Sequence, residues 1–219
     1  GVIEEVGPDV TLFNVGDRVS HAAMPIGAYS EKHIMPENKL VPVPDGVSNE
    51  VASCVTLKGI TAEYLLHRAY PLKKGDKVLY HAAAGALGQI LCPWANSIGA
   101  EIIGTVGSKE KEEIAKKNGC HYVINYTDKN FVEEVEKIVG KNGIDVVYDG
   151  VGLKTFEGSI EVLKIRGMMV AFGNASGYVD TIDVKKHINA KGLFFTRPSI
   201  AHYTIKREEL LESAKKVFD

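Results

Sequence analysis

Two patterns of hydrophobic and polar residues meet near residue 58. Before it, short apolar or alternating runs at 2–6, 18–20, 28–34 and 39–43 are separated by Gly, Pro, Asn and Asp, which is typical of short strands. Ser48 or Asn49 can then cap a helix. From residue 75, strand-length apolar runs alternate with helical patterns. We expect strands at 77–82, 101–106, 122–126, 145–149, 168–173 and 193–197, and helices at 88–98, 109–118, 131–139, 155–163 and 206–218.

This alternation predicts the fold class. Strands that alternate with helices form a parallel sheet that is covered on both faces. Because such crossovers are right-handed, the sheet is doubly wound. We therefore predict an α/β chain in which a Rossmann doubly wound parallel sheet follows a shorter β-rich region.

Composition and charge exclude several classes of protein. The chain has 219 residues, 45% of them hydrophobic and 25% charged, which excludes a disordered chain. Its net charge of -2 lacks the basic excess that nucleic acids attract, so we expect no nucleic-acid partner. No apolar run approaches the ~20 residues of a membrane span, so we expect no membrane partner.

The cysteines indicate the redox compartment of the protein, and the first residues indicate whether the sequence is part of a longer one. Cys54, Cys92 and Cys120 are far apart and lack the spacing of metal ligands. We expect no metal, no disulfide framework and a reducing compartment, the cytoplasm. Because the chain opens at Gly1 in a strand-like run, we also expect it to be part of a longer protein.

The most informative segment is an apolar strand that runs into a turn of small residues and opens a helix. Ala83, Gly85 and Gly88 occupy the three glycine places of the GxGxxG pattern, with alanine in the first. In dinucleotide-binding folds, this turn lets the backbone approach a pyrophosphate, which binds N–H groups at the helix N-terminus. The alternative is an ordinary strand-to-helix turn whose glycines only permit close packing.

The end of the next strand indicates which dinucleotide is bound. NAD-specific sites place Asp or Glu there, about 20 residues after the glycine turn, to bind the ribose 2′-hydroxyl. This chain instead has Gly107, Ser108, Lys109 and Lys111. Since lysine and N–H groups bind a 2′-phosphate, the segment favours NADP. The alternative is that the lysines are solvated helix residues, and for Lys109 that interpretation is preferred.

Four later strand ends carry glycines and polar residues. Because a cofactor in an open parallel sheet lies beyond the carboxyl ends of the strands, these ends suit adenine, amide and phosphate groups. Each also has a structural explanation, such as turn glycines or a surface ion pair of Arg197. The residues concerned are Tyr126; Gly150, Val151 and Gly152; Phe172, Gly173, Asn174 and Ala175; and Arg197, Pro198 and Ser199.

In this order the motifs resemble the zinc-free quinone oxidoreductases, relatives of zeta-crystallin in the medium-chain dehydrogenase/reductase superfamily. The matching segments cover essentially the whole chain and include residues 16–19, 27–30, 57–66, 81–85, 104–107, 123–126 and 172–177. The resemblance implies a partial GroES-like catalytic domain at 1–58 and a Rossmann NADPH-binding domain at 59–198. It also implies that 199–219 begin a C-terminal return towards the catalytic domain.

The resemblance implies roles for residues at the phosphate end of the cofactor. Gly107, Ser108 and Lys111 would hold the 2′-phosphate, and Tyr126 would lie over the adenosine. The pyrophosphate would meet the backbone of the glycine turn, at Gly85, Ala86, Leu87 and Gly88. The family commonly has Gly-Gly-Val-Gly in this turn, so the alanine adds a methyl group close to the phosphates.

At the nicotinamide end, the resemblance places Tyr64, with Thr61 nearby. It implies that the ribose and amide are lined by Val151, Phe172, Gly173, Asn174 and Ala175, and that the far wall consists of Pro198 and Ser199. Arg197, at the preceding strand end, is also a predicted cofactor-binding residue. It assigns no catalytic residue. Family segments equivalent to those before Gly1 and after Asp219 are absent, so we expect part of the substrate pocket to be missing from this chain.

These observations predict an NADPH-dependent quinone reductase that transfers hydride to a quinone without a metal. The alternatives are an NADPH-dependent reductase of the C=C bond in alkenals or enones, and a non-catalytic NADPH-binding or RNA-binding module. A hydrolase is unsupported because no GxSxG motif occurs. The apolar strand at 193–196 lies at the predicted sheet edge, and with the resemblance it predicts a homodimer.

Overall fold

The computed structural model describes residues 1–22 and 25–219, which form two compact units. Unit 1 comprises Gly1–Tyr64 and Ser199–Asp219, and unit 2 comprises Leu65–Pro198. The expected boundary after residue 58 falls inside a helix, Asn49–Tyr64, and the contacts divide the chain at the end of that helix.

The first part of unit 1 contains little regular strand. Strands β1 (Val19–Ser20) and β2 (Val41–Pro42) pair antiparallel, and a 3₁₀ turn at Glu37–Lys39 precedes helix α1 (Asn49–Tyr64). Strands expected at 2–6 and 28–34 are wrong: Val2 makes only an isolated bridge to Arg18, and residues 28–34 form bends and irregular loop. Ile34 is 92% exposed, so alternation there does not mark a buried face.

Unit 2 alternates strand and helix as predicted. A π-helical segment, Leu65–Ala69, precedes the first strand, and a second one, Val184–Asn189, precedes the last; neither was predicted. The other elements are β3 (Lys77–His81), α2 (Gly88–Ile98), β4 (Glu101–Val106), α3 (Lys109–Lys117), β5 (Tyr122–Asn125), α4 (Phe131–Val139), β6 (Ile144–Asp149), α5 (Phe156–Val162), β7 (Leu163–Ala171) and β8 (Phe194–Thr196).

The six strands of unit 2 form one parallel sheet in the order β5-β4-β3-β6-β7-β8. This is the Rossmann strand order, so the predicted α/β class and doubly wound sheet are confirmed. All six residues of β6 are buried, which requires cover on both faces of the sheet. The order reverses between β3 and β6, where ligands bind in such sheets.

After unit 2 the chain returns to unit 1 with two helices, α6 (Ile200–Tyr203) and α7 (Arg207–Phe218). Buried Leu210 and Ala214 of α7 pack with Ile60 of α1. A Cβ added to Gly59 would lie 2.4 Å from a methyl group of Val217, so this glycine lets α1 and α7 approach closely.

The three cysteines are free thiols in different surroundings. Cys54 lies exposed on α1, whereas Cys92 in α2 and Cys120 before β5 are buried. Across the described ranges, every helix is too short or too polar to cross a membrane.

Candidate functional site

Residues 82–88, which we call the glycine turn, connect β3 to α2. Strand β3 is almost wholly buried, whereas Gly85 and Ala86 in the turn are exposed. A Cβ added to Gly88 would lie 2.2 Å from the carbonyl oxygen of Ala83, so only glycine permits helix α2 to begin there. At Gly85 the same addition would meet the carbonyl oxygen of Ala82 at 3.1 Å, a milder contact.

The turn leaves backbone donors available. Within the described parts of the chain, the N–H groups of Ala86, Leu87 and Gly88 donate to no protein acceptor. Leu87, at the N-cap of α2, makes no capping hydrogen bond with its side chain. N–H groups at a helix N-terminus, together with the helix dipole, attract an anion such as a phosphate.

Alanine in the first place of the pattern is accommodated by a glycine on the neighbouring strand. A Cβ added to Gly104 of β4 would lie 2.7 Å from Cβ of Ala83 and 2.9 Å from Sγ of Cys120. The methyl group of Ala83 therefore occupies the space that a side chain at position 104 would need. The backbone N–H of Ala83 also donates to the carbonyl oxygen of Thr105 at 3.0 Å, which fastens the turn to β4.

The carboxyl end of β4 has the features expected for a 2′-phosphate site. Ser108 caps α3, its Oγ accepting from the backbone N–H of Lys111 at 3.4 Å, and Lys111 is exposed. Tyr126, directly after β5, lies over Gly107: a Cβ added to Gly107 would be 2.7 Å from the phenol oxygen of Tyr126. Glycine thus allows the aromatic ring to approach the loop that follows β4.

Asp149 organises the loop after β6. Its carboxylate is fully buried, and its Oδ1 accepts from the backbone N–H groups of Val151 at 2.7 Å and Gly152 at 2.9 Å. Its Oδ2 accepts from the hydroxyl of Thr155 at 2.8 Å and that of Ser159 at 3.3 Å. The two backbone bonds hold residues 150–152 in a fixed position, and the two hydroxyls fix the carboxylate that accepts them.

The loop after β7 packs directly on residues 150–152. The backbone N–H of Ser176 donates to the carbonyl oxygen of Val151 at 2.7 Å, and that of Ala175 donates to Gly150 at 3.3 Å. A Cβ added to Gly150 would lie 2.9 Å from the Phe172 ring, which also stacks at 6.3 Å on Tyr80 of β3. The predicted residues Val151, Phe172, Gly173, Asn174 and Ala175 therefore lie in two adjoining loops.

A buried histidine links these strands, and the sequence reasoning gave it no such role. The ring of His81 is 1% exposed; its Nδ1 lies 2.9 Å from Oγ1 of Thr105, and its Nε2 lies 2.9 Å from Oγ of Ser159. Burial lowers the pKa of His81, although the charge of Asp149 acts in the opposite direction. A histidine within an apolar strand indicates a buried polar contact, but it does not identify the partner.

The remaining predicted residues lie in two places. Arg197 and Pro198 follow β8 at the same edge of the sheet, where the exposed Arg197 donates to the carbonyl oxygen of Pro198 at 3.2 Å. Three others belong to unit 1. Tyr64 is 2% exposed and stacks on Tyr203 at 4.5 Å, Thr61 bonds back to its own helix, and Ser199 caps α6.

A cavity of about 380 Å³ lies elsewhere in unit 2, beside residues that precede β6 and β8. Three of its polar side chains contact one another: Glu157 meets Lys186 at 2.9 Å and His187 at 3.1 Å. None of the predicted cofactor residues lines this cavity. We therefore place the candidate site at the carboxyl edge of the sheet, where the glycine turn and the loops after β4, β6 and β7 lie.

Metal ligands do not cluster in the structure. Among residues 1–22 and 25–219, no group of three or more His, Cys, Asp or Glu side chains could hold a metal ion.

Comparison with known proteins gives consistent relatives. Residues 86–217 match the zinc-binding dehydrogenase family. The whole chain is 47% identical to a 2-haloacrylate reductase of a Burkholderia species, of which it covers 66%, and 45% identical to a quinone oxidoreductase of Salmonella typhimurium, of which it covers 67%. A crystal structure of Escherichia coli quinone oxidoreductase complexed with NADPH superposes with a TM-score of 0.96 at 42% identity, covering 100% of this chain and 67% of that one. The chain thus spans about two thirds of the length of these relatives.

Proposed function

Because the chain belongs to the zinc-binding dehydrogenase family, among its quinone oxidoreductases, we propose that it binds NADPH and serves in the reduction of quinones. One observation carries the proposal: three backbone N–H groups of the partly exposed glycine turn, at the start of α2, have no acceptor among the described residues of the protein. The E. coli relative at 42% identity has been crystallised with NADPH, which supports the same cofactor here.

The residues present fit NADPH. The N–H groups of Ala86, Leu87 and Gly88 would bind the pyrophosphate. Ser108 and Lys111, beside Gly107, would bind the 2′-phosphate, because β4 itself ends in Thr105 and Val106 and carries no carboxylate there to repel it. The exposed carboxylate of Glu110, which the hydroxyl of Ser108 contacts, would turn away from the phosphate. The exposed ring of Tyr126 over Gly107 suits the adenosine. Residues 150–152 and 172–175 would line the nicotinamide ribose and amide, with Arg197 and Pro198 beyond them.

In the proposed reaction, bound NADPH supplies a hydride to the electron-poor ring of the quinone, which also takes up a proton to become a hydroquinone. The chain contributes binding and orientation. The two loops joined through Gly150 and Phe172 would form a fixed wall beside the reacting ring. Thr61, Tyr64 and Ser199 remain predicted contacts.

We propose that the reaction proceeds without zinc. The family is described as zinc-binding, but the His, Cys, Asp and Glu residues of the described ranges do not form a zinc site. If this holds, a strong chelator leaves the affinity for NADPH unchanged. A loss of binding that zinc restores would contradict it.

Selectivity for the 2′-phosphate is the sharpest test. We expect Lys111→Ala to weaken NADPH binding about tenfold and NADH binding less than twofold, because only NADPH carries the phosphate that the ammonium contacts. The titration follows the fluorescence of each reduced nucleotide on the full chain. Lys109→Ala, two residues away on α3, is the matched control and should change neither affinity.

Equal losses for NADPH and NADH in Lys111→Ala would overturn the assignment of the phosphate site. If the unmodified protein binds neither nucleotide, the proposed function itself fails.

Reduction of an activated C=C bond is a second candidate, because a relative at 47% identity is a 2-haloacrylate reductase. The same hydride geometry serves both reactions. NADPH oxidation with 1,2-naphthoquinone, compared with an alkenal, distinguishes them. Binding of NADPH without oxidation of either substrate would instead favour a module without turnover.

We extend the proposal to a homodimer in the cytoplasm. Strand β8 lies at the edge of the sheet, and Phe194 on it is 58% exposed, which suits pairing with a second copy. The three free thiols suit a reducing compartment. Gel filtration at micromolar concentration should give a dimer; an elution volume of a monomer would contradict this assembly.

A further inference from the structure

Four buried polar residues connect the ends of three strands that carry candidate cofactor loops. Thr105 lies on β4 just before Gly107, His81 ends β3 directly before the glycine turn, and Asp149 ends β6 directly before residues 150–152. Ser159 of α5 stands between His81 and Asp149. We call Thr105, His81, Ser159 and Asp149 the polar network.

The hydrogen bonds of the network have one direction. Ser159 Oγ carries a single hydrogen and lies 2.8 Å from the carbonyl oxygen of Thr155 and 3.3 Å from Oδ2 of Asp149, both of which only accept. Nε2 of His81, 2.9 Å away, must therefore carry the hydrogen and donate it to Ser159. In a neutral ring Nδ1 then has no hydrogen and accepts from the hydroxyl of Thr105 at 2.9 Å.

Burial makes this arrangement specific. The four residues are at most 1% exposed, and the ring of Phe131 meets His81 edge-on at 5.0 Å, so water cannot replace a lost partner. A buried donor or acceptor that loses its partner is left unsatisfied, which costs more than the hydrogen bond contributes. The network therefore holds β3, β4 and β6 in one relative position at the point where the strand order reverses.

We propose that His81 is a positioning residue for the cofactor: through Thr105, Ser159 and Asp149 it fixes the relative positions of the glycine turn, the loop after β4 and residues 150–152. This inference rests on the proposed binding of NADPH. The three loops would contact different parts of one ligand, so a displacement of any of them lowers affinity without removing a ligand contact.

The test removes one partner at a time and measures NADPH affinity on the full chain. Thr105→Val leaves Nδ1 of His81 without a donor, and Ser159→Ala leaves Nε2–H without an acceptor. We expect each to weaken NADPH and NADH about fivefold alike, as the loss of one buried hydrogen bond allows. Thr105→Ser keeps the hydroxyl and should restore affinity to within twofold of the unmodified protein.

Thr56→Val is the matched control. Thr56 is a buried threonine of unit 1 whose hydroxyl lies 2.8 Å from Ser20 Oγ and 2.7 Å from the carbonyl oxygen of Ala52. The same substitution there should lower the melting temperature but leave the NADPH affinity unchanged at a temperature where all variants are folded. Unchanged affinity in Thr105→Val and Ser159→Ala, while the unmodified protein binds NADPH, would overturn the role of His81 alone.

The unmodified protein offers a check that needs no folded variant. Nitrogen-15 NMR of the His81 ring should show a neutral ring protonated at Nε2, with Nδ1 unprotonated. The opposite tautomer, or a charged ring at neutral pH, would overturn the direction of the network. Loss of NADPH binding by the unmodified protein, with the expected tautomer present, would instead count against the proposed function.

Discussion

The two loops beside the reversal of strand order, residues 82–88 and 150–152, both contain glycines but use their backbones differently. The glycine turn keeps the N–H groups of Ala86, Leu87 and Gly88 available. In the loop after β6, the carboxylate of Asp149 accepts the N–H groups of Val151 and Gly152. The first loop can bind an external anion. In the second loop the N–H groups already bind an internal anion, the carboxylate of Asp149, so the loop is held in one position.

The residue before each loop explains the difference. Asp149 supplies an internal acceptor for the N–H groups of the loop that follows it. The ring nitrogens of His81 instead contact the side chains of Thr105 and Ser159, so neither nitrogen accepts from the glycine turn. Glycines after a strand therefore indicate close approach of the backbone, and the last side chain of the strand decides whether the N–H groups stay free for a ligand.

Removal of the internal acceptor should give the largest effect. Asp149→Ala leaves the backbone N–H groups of Val151 and Gly152 without their acceptor, whereas the hydroxyls of Thr155 and Ser159 keep a backbone carbonyl acceptor, so we expect a loss of about 2–5 kcal/mol in the free energy of unfolding. Urea unfolding measures it. Asp183→Ala, which removes an exposed helix cap, is the control and should cost about 1 kcal/mol. Similar losses in the two variants would mean that the position of residues 150–152 does not depend on the carboxylate of Asp149.

Substitution of the two glycines of the turn should destabilise the protein to different extents, more at Gly88 than at Gly85. Gly88→Ala places a methyl group 2.2 Å from the carbonyl oxygen of Ala83, and we expect a loss of about 1–3 kcal/mol in unfolding free energy. Gly85→Ala meets its nearest atom at 3.1 Å and should cost clearly less. Thermal unfolding of both variants provides the measurement. Equal losses of unfolding free energy would show that the close contact at Gly88 does not determine the conformation of the glycine turn.

Low pH should destabilise the folded protein through the protonation of His81, and we expect this effect to be the smallest of the three. Burial lowers the pKa of His81 in the folded protein. Below about pH 6.5 the unfolded chain therefore binds more protons than the folded one, and the free energy of unfolding decreases as the pH decreases. The groups that face the ring are Thr105, Ser159, Asp149 and the Phe131 ring.

His81→Gln removes this titration and should flatten the decline between about pH 7.5 and about pH 5.5, by at most about 1.4 kcal/mol per pH unit. Urea unfolding across that range, with the unmodified protein alongside, measures the difference in slope. Parallel curves for the two proteins would exclude His81 as the source.

The parallel sheet could be predicted because its strands are buried on both faces. Strand β4 and helices α2 and α4 have the expected bounds, and the other elements of unit 2 mostly differ by one or two residues. Strand β7 is the exception: it begins at Leu163 and pairs irregularly with β6, which its apolar segment does not indicate.

In unit 1 the alternation of apolar and polar residues did not predict strands, because the apolar residues there are exposed. Val6 is 44% exposed, and Tyr29 and Ile34 have no buried face, so their alternation carries no information about pairing. Periodicity predicts a strand only when one of its faces packs against a core.

Motifs located the edge of the sheet where the candidate site lies, but not its internal support. The contact between His81 and Ser159 joins residues 78 positions apart, and no local pattern encodes such a contact. The compensation of Ala83 by Gly104 was equally hidden, because it depends on which strands are neighbours.

The unequal burial of the thiols has a practical consequence. Cys54 is exposed on α1, while Cys92 and Cys120 are shielded in unit 2. A maleimide dye added to the native protein therefore attaches at one position in each molecule. Site-selective labelling, for single-molecule or distance measurements, is thus available without any engineered substitution.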